Sequence, residues 1–248
     1  MVKDQLWRYK APKKSEPLPL PPKKPYSKSP STVLAISDLH CPFEHPEAFA
    51  FLKYVYESRK CDRVVCLGDE LDMHFVSRYP KEHDALGGKD ELRQGLDKLH
   101  TLYEMFPEVE VCISNHTSRP YRMARSVGLL DTFMREYREW MEAPKGWSWS
   151  EEIEIDGVLY FHGEPYSGFK GALNALKDLR RNLVIGHIHL GGGVWMTPEV
   201  PGKFALNTGW LGNQEEYAFR YAKKCRGRPT LGCGVVHEGK WAEFVGME

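Results

Sequence analysis

Residues 32–40 read TVLAISDLH, a short apolar run, Thr32–Ser37, that stops on a carboxylate at Asp38. A run this brief and this uniformly apolar suits a strand buried on both faces, where polar alternation would signal a half-exposed one. The pattern recurs twice. Arg63–Leu67 runs into Gly68-Asp69, and Val109–Ser114 runs into Asn115-His116. Between these strands the spacing changes to that of helices, with Phe49, Leu52 and Val55 or Tyr56 in His45–Ser58, and Leu92, Leu96, Leu99 and Tyr103 in Asp90–Phe106. The first half of the chain is therefore an alternation of strand and helix.

Pro120–Met141 has a mostly helical pattern that Gly128 can split. After Pro144 the character changes to short strands: Trp147–Trp149, Glu152–Ile155 and Val158–His162, with Asp156-Gly157 as a hairpin turn between the last two. One further helix, Gly171–Arg181, precedes a strand at Leu183–Ile185 that enters Gly186-His187. The remainder is strand-like at Val194–Thr197, Lys203–Asn207, Tyr217–Tyr221, Leu231–His237 and Trp241–Val245. Two mixed sheets packed face to face with helices outside, a four-layer αββα sandwich of the α/β (α+β) class, fit this order.

The chain has 248 residues, 34 basic and 34 acidic side chains, and a formal charge of zero. That balance conceals an asymmetry, because residues 1–30 carry a net +6 and the remainder a net −6. Residues 10–30, KAPKKSEPLPLPPKKPYSKSP, hold too little apolar surface to fold alone and read as an extended, partly polyproline arm. The expected organisation is thus a basic arm at 1–30 and a folded domain at 31–248. Six scattered cysteines without a C-x-x-C pair suggest reduced thiols in a cytoplasmic protein. No apolar run approaches the roughly 20 residues that span a bilayer, so no membrane partner is expected.

The polar residues of interest occupy one recurring position. Asp38, Asp69, Asn115, His162 and His187 each lie at or just past the C-terminal end of a predicted strand, the edge where loops of α/β sheets converge on ligands. Carboxylate, amide and imidazole donors delivered together make a candidate metal site, and mixed O and N donors suit Mn, Fe or Zn better than Ca or Mg. In order the segments are Asp38-Leu39-His40, Gly68-Asp69-Glu70-Leu71-Asp72, Ser114-Asn115-His116, His162-Gly163 and Gly186-His187-Ile188-His189. Order and types resemble the calcineurin-like metallophosphoesterase superfamily, with its D-x-H, G-D-x-x-D, G-N-H-[DE], lone His and G-H-x-H signatures. The resemblance spans roughly residues 32–210, and Asn207-Thr208-Gly209 is similar to the turn that follows G-H-x-H in that family.

The resemblance implies a two-metal phosphoester hydrolase that uses a hydroxide held between the ions. It places one metal on Asp38, His40 and His189, the second on Asn115, His162 and His187, and Asp69 on both. It further implies His116 as general acid, Asp72 as its orienting partner, and Arg119 as a contact to the substrate phosphate. Manganese is the first choice of divalent ion, with Fe, Zn, Ni and Mg as alternatives. The expected reaction is phosphodiester hydrolysis, with nucleic acid as a substrate reached through the N-terminal arm and the basic run Arg220–Arg228. The alternatives are phosphomonoester hydrolysis of nucleotides or phosphoproteins, and a non-catalytic binding module on the same fold. Two positions depart from the family pattern. Ser114 replaces its Gly and would carry strain if φ were positive there, and Thr117 replaces its Asp or Glu.

Overall fold

The computed structural model describes residues 30–77, 83–219 and 227–247. The basic arm up to residue 29 and all but Gly227 and Arg228 of the Arg220–Arg228 run lie outside these described residues.

The first four strands of the chain and the last two make one sheet. β1 (Thr32–Ile36), β2 (Arg63–Cys66), β3 (Glu108–Cys112) and β4 (Gly146–Ser150) run parallel to one another. β10 (Gly232–His237) joins β1 antiparallel and β11 (Trp241–Gly246) joins β10, giving the order β11-β10-β1-β2-β3-β4. The second sheet holds β5 (Glu152–Ile155), β6 (Val158–Phe161), β7 (Leu183–Ile185), β9 (Ala205–Asn207) and β8 (Gly193–Trp195), in that order across the sheet. Both sheets are mixed.

The double-faced burial expected for the apolar runs is visible residue by residue. Val33 and Ala35 of β1 face the second sheet, in a core shared with Val65, Leu67, Val158, Tyr160, Val184 and Leu206. Leu34 and Ile36, one residue out of phase, pack instead with Leu52, Val55, Leu99 and Leu102 of the helices α1 (Ala48–Ser58) and α2 (Gly88–Met105). On the far side Leu159, Phe161, Leu183 and Ile185 pack under α5 (Gly171–Leu179). The period of two in each strand therefore feeds two cores at once, which makes the four-layer αββα sandwich.

Several element boundaries differ from the sequence reading. The helical stretch Pro120–Met141 is α3 (Arg119–Ser126), a 3-10 turn at Asp131–Phe133 and the short α4 (Tyr137–Trp140), broken at Gly128 with φ of 78°. Tyr217–Tyr221 is no strand in its described part, since Tyr217–Phe219 forms a 3-10 turn that tucks Ala218 and Phe219 against Trp210 and Phe43. Of the four residues expected on one face of α2, Leu99 and Tyr103 are buried, together with Glu91, Gly95 and Leu102, while Leu92 and Leu96 lie at the flank. Gly95 permits that burial, because a Cβ there would stand 2.6 Å from Leu71 and 3.2 Å from the Cys41 carbonyl oxygen. Asp156 and Gly157, both at positive φ, form the expected hairpin turn between β5 and β6.

Candidate metal centre

Parallel β1, β2 and β3 end on the same edge of the first sheet, and β6 and β7 end on the adjoining edge of the second. All seven candidate ligands are brought together there. Asp38 and His40 follow β1, Asp69 follows β2 and Asn115 follows β3, while His162 follows β6 and His187 and His189 follow β7. Gly186 lets the two edges meet, since a Cβ on it would lie 2.7 Å from Asp38 Oδ2. Asp38, His40, Asp69 and His187 all adopt left-handed φ between 52° and 63°. For non-glycine residues that conformation is costly and persists only where surrounding bonds enforce it. Those bonds are present: His40 N–H donates to the Asp69 carbonyl at 2.8 Å, and His187 N–H donates to Asp38 Oδ2 at 2.9 Å.

The donor atoms fall into two groups. In the first, His189 Nε2 lies 3.1 Å and His40 Nε2 3.7 Å from Asp38 Oδ1, and the two ring nitrogens are 3.3 Å apart. In the second, Asn115 Oδ1 is 2.6 Å from His162 Nε2 and 3.1 Å from His187 Nδ1. Asp69 Oδ2 faces both, 3.4 Å from His162 Nε2 and 3.9 Å from His40 Nε2. The sets Asp38–His40–His189 and Asp69–His162–His187 each have their donor atoms within 4.8 Å of one another, close enough to hold a cation.

Tautomers support the same reading. His40 Nδ1–H is committed to Asp72 Oδ1 at 2.8 Å and His162 Nδ1–H to the Leu67 carbonyl at 2.7 Å, so Nε2 is the nitrogen each turns inward. These nitrogens face carboxylate oxygens, which calls for a proton or a metal ion between them. Burial opposes charge on His40, yet Asp38 and Asp72 lift its pKa to about 10. Burial likewise opposes charge on His162, yet Asp69 raises it to about 9. Asp69 and Asp38 are held well below the usual carboxylate range despite complete burial, by His116 and His162 for the first and His189 and His40 for the second. The residues present therefore fit two divalent ions: where the metal-free site draws in protons, a metal meets the same demand.

The three flanking residues are placed differently. Asp72 Oδ1 receives His40 Nδ1–H and lies 3.2 Å from His116 Nδ1, while the Asp72 carbonyl oxygen is only 2.6 Å from that nitrogen. Asp72 thus contacts both imidazoles. Arg119 donates to the Asp72 and Met73 carbonyls at 2.7 and 3.0 Å, and its other arm to His116 Nε2 at 2.8 Å. Ser114 is not at positive φ, so the strain expected of it does not arise.

Some residues around the centre were not singled out in the sequence. Glu70 is fully buried beside Asp69, and burial pushes its carboxyl up to about 7 even though Trp149 donates to it. Glu91 reaches from α2 to accept the His74 and Phe75 N–H groups, pinning the loop that carries Asp72. Trp210 stacks on His189 and Phe219 meets His40 edge-on, at centroid distances of 4.9 and 5.3 Å. The segment Asp69-Glu70-Leu71-Asp72 held a clue. Three carboxylates in four residues behind a buried strand exceed what one bridging position can use, so one of them needed other partners.

No family model and no curated protein sequence matches the chain. Solved structures similar to it include Vacuolar Protein Sorting 29 from Cryptosporidium parvum, at 15% identity and a TM-score of 0.44 over 88% of this chain and 98% of that one. Yfce, a phosphoesterase from E. coli, aligns at 14% identity and a TM-score of 0.40 over 88% and 100% of the two chains. TT1561 of Thermus thermophilus aligns at 10% identity and a TM-score of 0.39 over 87% and 98%. Likenesses this distant bear on neither activity nor substrate, and the chemistry is read from the side chains themselves. In motif order and in sheet architecture the chain resembles the calcineurin-like metallophosphoesterases.

Proposed function

We propose that the chain is a two-metal phosphodiesterase acting on nucleic acid. The observation that carries the proposal is the pair of donor groups meeting at Asp69 Oδ2, each with imidazole nitrogens turned inward. Asp38, His40 and His189 would hold one divalent ion, Asn115, His162 and His187 the other, and Asp69 both. Such ions supply charge neutralisation on the phosphoryl oxygens and an acidified water, with manganese the first candidate. His116 stands at the rim of this centre, its Nε2 3.9 Å from Asp69 Oδ2. In this reading Arg119 leaves His116 Nε2 for the substrate, the freed Nε2 is protonated from solvent and passes that proton to the leaving oxygen, and Asp72 orients the ring through Nδ1. Arg119 adjoins the same nitrogen and grips a phosphoryl oxygen once substrate displaces its bond to His116. The preference for nucleic acid is supported by the charge of the chain, whose first 30 residues carry a net +6.

The test is turnover of bis-p-nitrophenyl phosphate against p-nitrophenyl phosphate under Mn²⁺, followed by single-stranded and duplex DNA. The diester should be the better substrate and DNA should be cut. His116→Ala should retain metal while losing about 10²–10⁴-fold in kcat. Absence of DNA cleavage where the bis-ester turns over would remove the nucleic-acid assignment, and a monoester preference would overturn the diester one.

A further inference from the structure

Behind Asp69 runs a buried chain of hydrogen bonds that belongs to neither donor group. Asp69 N–H donates to Ser114 Oγ at 2.8 Å, Ser114 Oγ lies 2.5 Å from Thr117 Oγ1, and Thr117 O–H donates to Glu70 Oε2 at 3.3 Å. The other Glu70 oxygen accepts Trp149 Nε1–H at 2.9 Å. With Glu70 ionised, the chain has one polarity. Since the Thr117 proton goes to Glu70, the Ser114 proton must go to Thr117, leaving a Ser114 lone pair for Asp69 N–H. Every donor points one way, towards a carboxylate at the end, and Ser114, Thr117 and Glu70 are all at most 1% exposed.

The residue at the head of this chain needs restraint. Asp69 holds φ of 52°, and its carboxylate faces both groups of candidate ligands. Ser114 and Thr117 are also the two positions where the sequence departs from the family pattern. Instead of an acid at 117, a hydroxyl there reaches an acid at 70.

We propose that Ser114, Thr117 and Glu70 are positioning residues that fix the backbone of Asp69, and with it the affinity of both metal positions together. The inference rests on the two-metal reading above. Loss of partners behind a metal ligand typically weakens binding by about 10–100-fold.

The test is Mn²⁺ titration calorimetry of the full chain at pH 8 and 20 °C, alongside thermal unfolding of the metal-free protein. Thr117→Val keeps the side-chain shape and removes the hydroxyl. It should weaken both Mn²⁺ sites by about tenfold or more, and Thr117→Ser should restore them. Trp149→Phe, which removes the donor at the other end, should weaken both sites in the same direction and serves if Thr117→Val does not fold. A merely structural role would lower the unfolding temperature and leave both Mn²⁺ constants at the wild-type values; that result, or weakening of one site alone, overturns the proposal. If the wild-type chain binds no Mn²⁺, the two-metal reading itself fails. Wild-type binding with unaltered variants fails only the inference.

Discussion

Asp72→Asn separates the two donor groups more sharply than any change to a ligand. The carboxylate touches the first group only through His40, whose Nδ1–H it accepts at 2.8 Å, and among the described residues no hydrogen bond joins it to His162, His187 or Asn115. An asparagine can keep its oxygen at the Oδ1 position and place its NH2 where Oδ2 now sits, 3.9 Å from His74 Nδ1. Shape and acceptor survive, and only the charge is lost. A hydrogen bond to a charged partner is worth about 1.5–3 kcal/mol against about 1 for a neutral one, so the imidazole loses on the order of 1–2 kcal/mol of support. At 1.4 kcal/mol per decade that is roughly 5–30-fold in affinity at the position held by Asp38, His40 and His189. Calorimetric Mn²⁺ titration fitted to two sites should show one dissociation constant raised by that factor and the other within about threefold of wild type. Equal weakening of both sites, or of neither, would refute the division into an Asp38–His40–His189 group backed by Asp72 and a separate second group.

Metal should also stabilise the fold. Each ion at about 100 times its Kd adds about 2.7 kcal/mol, so two ions at saturation should raise Tm by about 10–20 °C for a chain of this size, and EDTA should reverse it in a differential scan. Gly68→Ala is expected to be severe, because Gly68 has φ of 98° and a Cβ would stand 2.4 Å from Ser114 Cβ. A loss of about 3 kcal/mol or more in urea unfolding is expected, against about 1–2 kcal/mol for Gly128→Ala, where only the left-handed φ is at stake. Glu91 gives a pH signature. Burial, then the nearby Asp72, raises its carboxyl from 4.5 to about 7 on folding. The folded state therefore binds more protons between those values, and the stability this confers is complete below pH 4.5 and lost as pH rises through 7. The deficit of Glu91→Gln relative to wild type in urea should accordingly narrow as the pH is raised across that interval, by about 1.4 kcal/mol per pH step of one.

The legible part of this molecule was the part governed by local pattern. Strands such as Leu183–Ile185 and Glu152–Ile155 were read to the residue, because an apolar triplet before Gly-His and an Asp-Gly turn admit few alternatives. The meeting of the candidate ligands was legible because each sits at or just past a strand end. What escaped was long-range. The buried face of α2 is set by how closely Gly95 lets it approach the Cys41 carbonyl, which no helical periodicity encodes. Tyr217–Phe219 has the aromatic content of a strand, but burial against Phe43 and Trp210 draws it into a turn. The partners of Glu70 escaped for the same reason: Thr117 and Trp149 come from segments 47 and 79 residues away.

Those distant partners also explain why the centre depends on the whole sandwich. The first sheet supplies Asp38, His40, Asp69 and Asn115, and the second supplies His162, His187 and His189, so neither sheet holds a complete set for both ions. Hydrogen bonds that cross the join include His162 to the Leu67 carbonyl, His187 N–H to Asp38, and Ser37 Oγ to Thr208 Oγ1 at 2.7 Å. The first two are made by candidate ligands. A bond that orients a ligand thus also fastens one sheet to the other, and ions bridging the join would act as further fasteners. Metal binding and sheet packing would therefore be coupled through the same few atoms. Loosening the core between the sheets, at Tyr160 or Leu206 for example, should weaken Mn²⁺ binding although neither residue is a ligand.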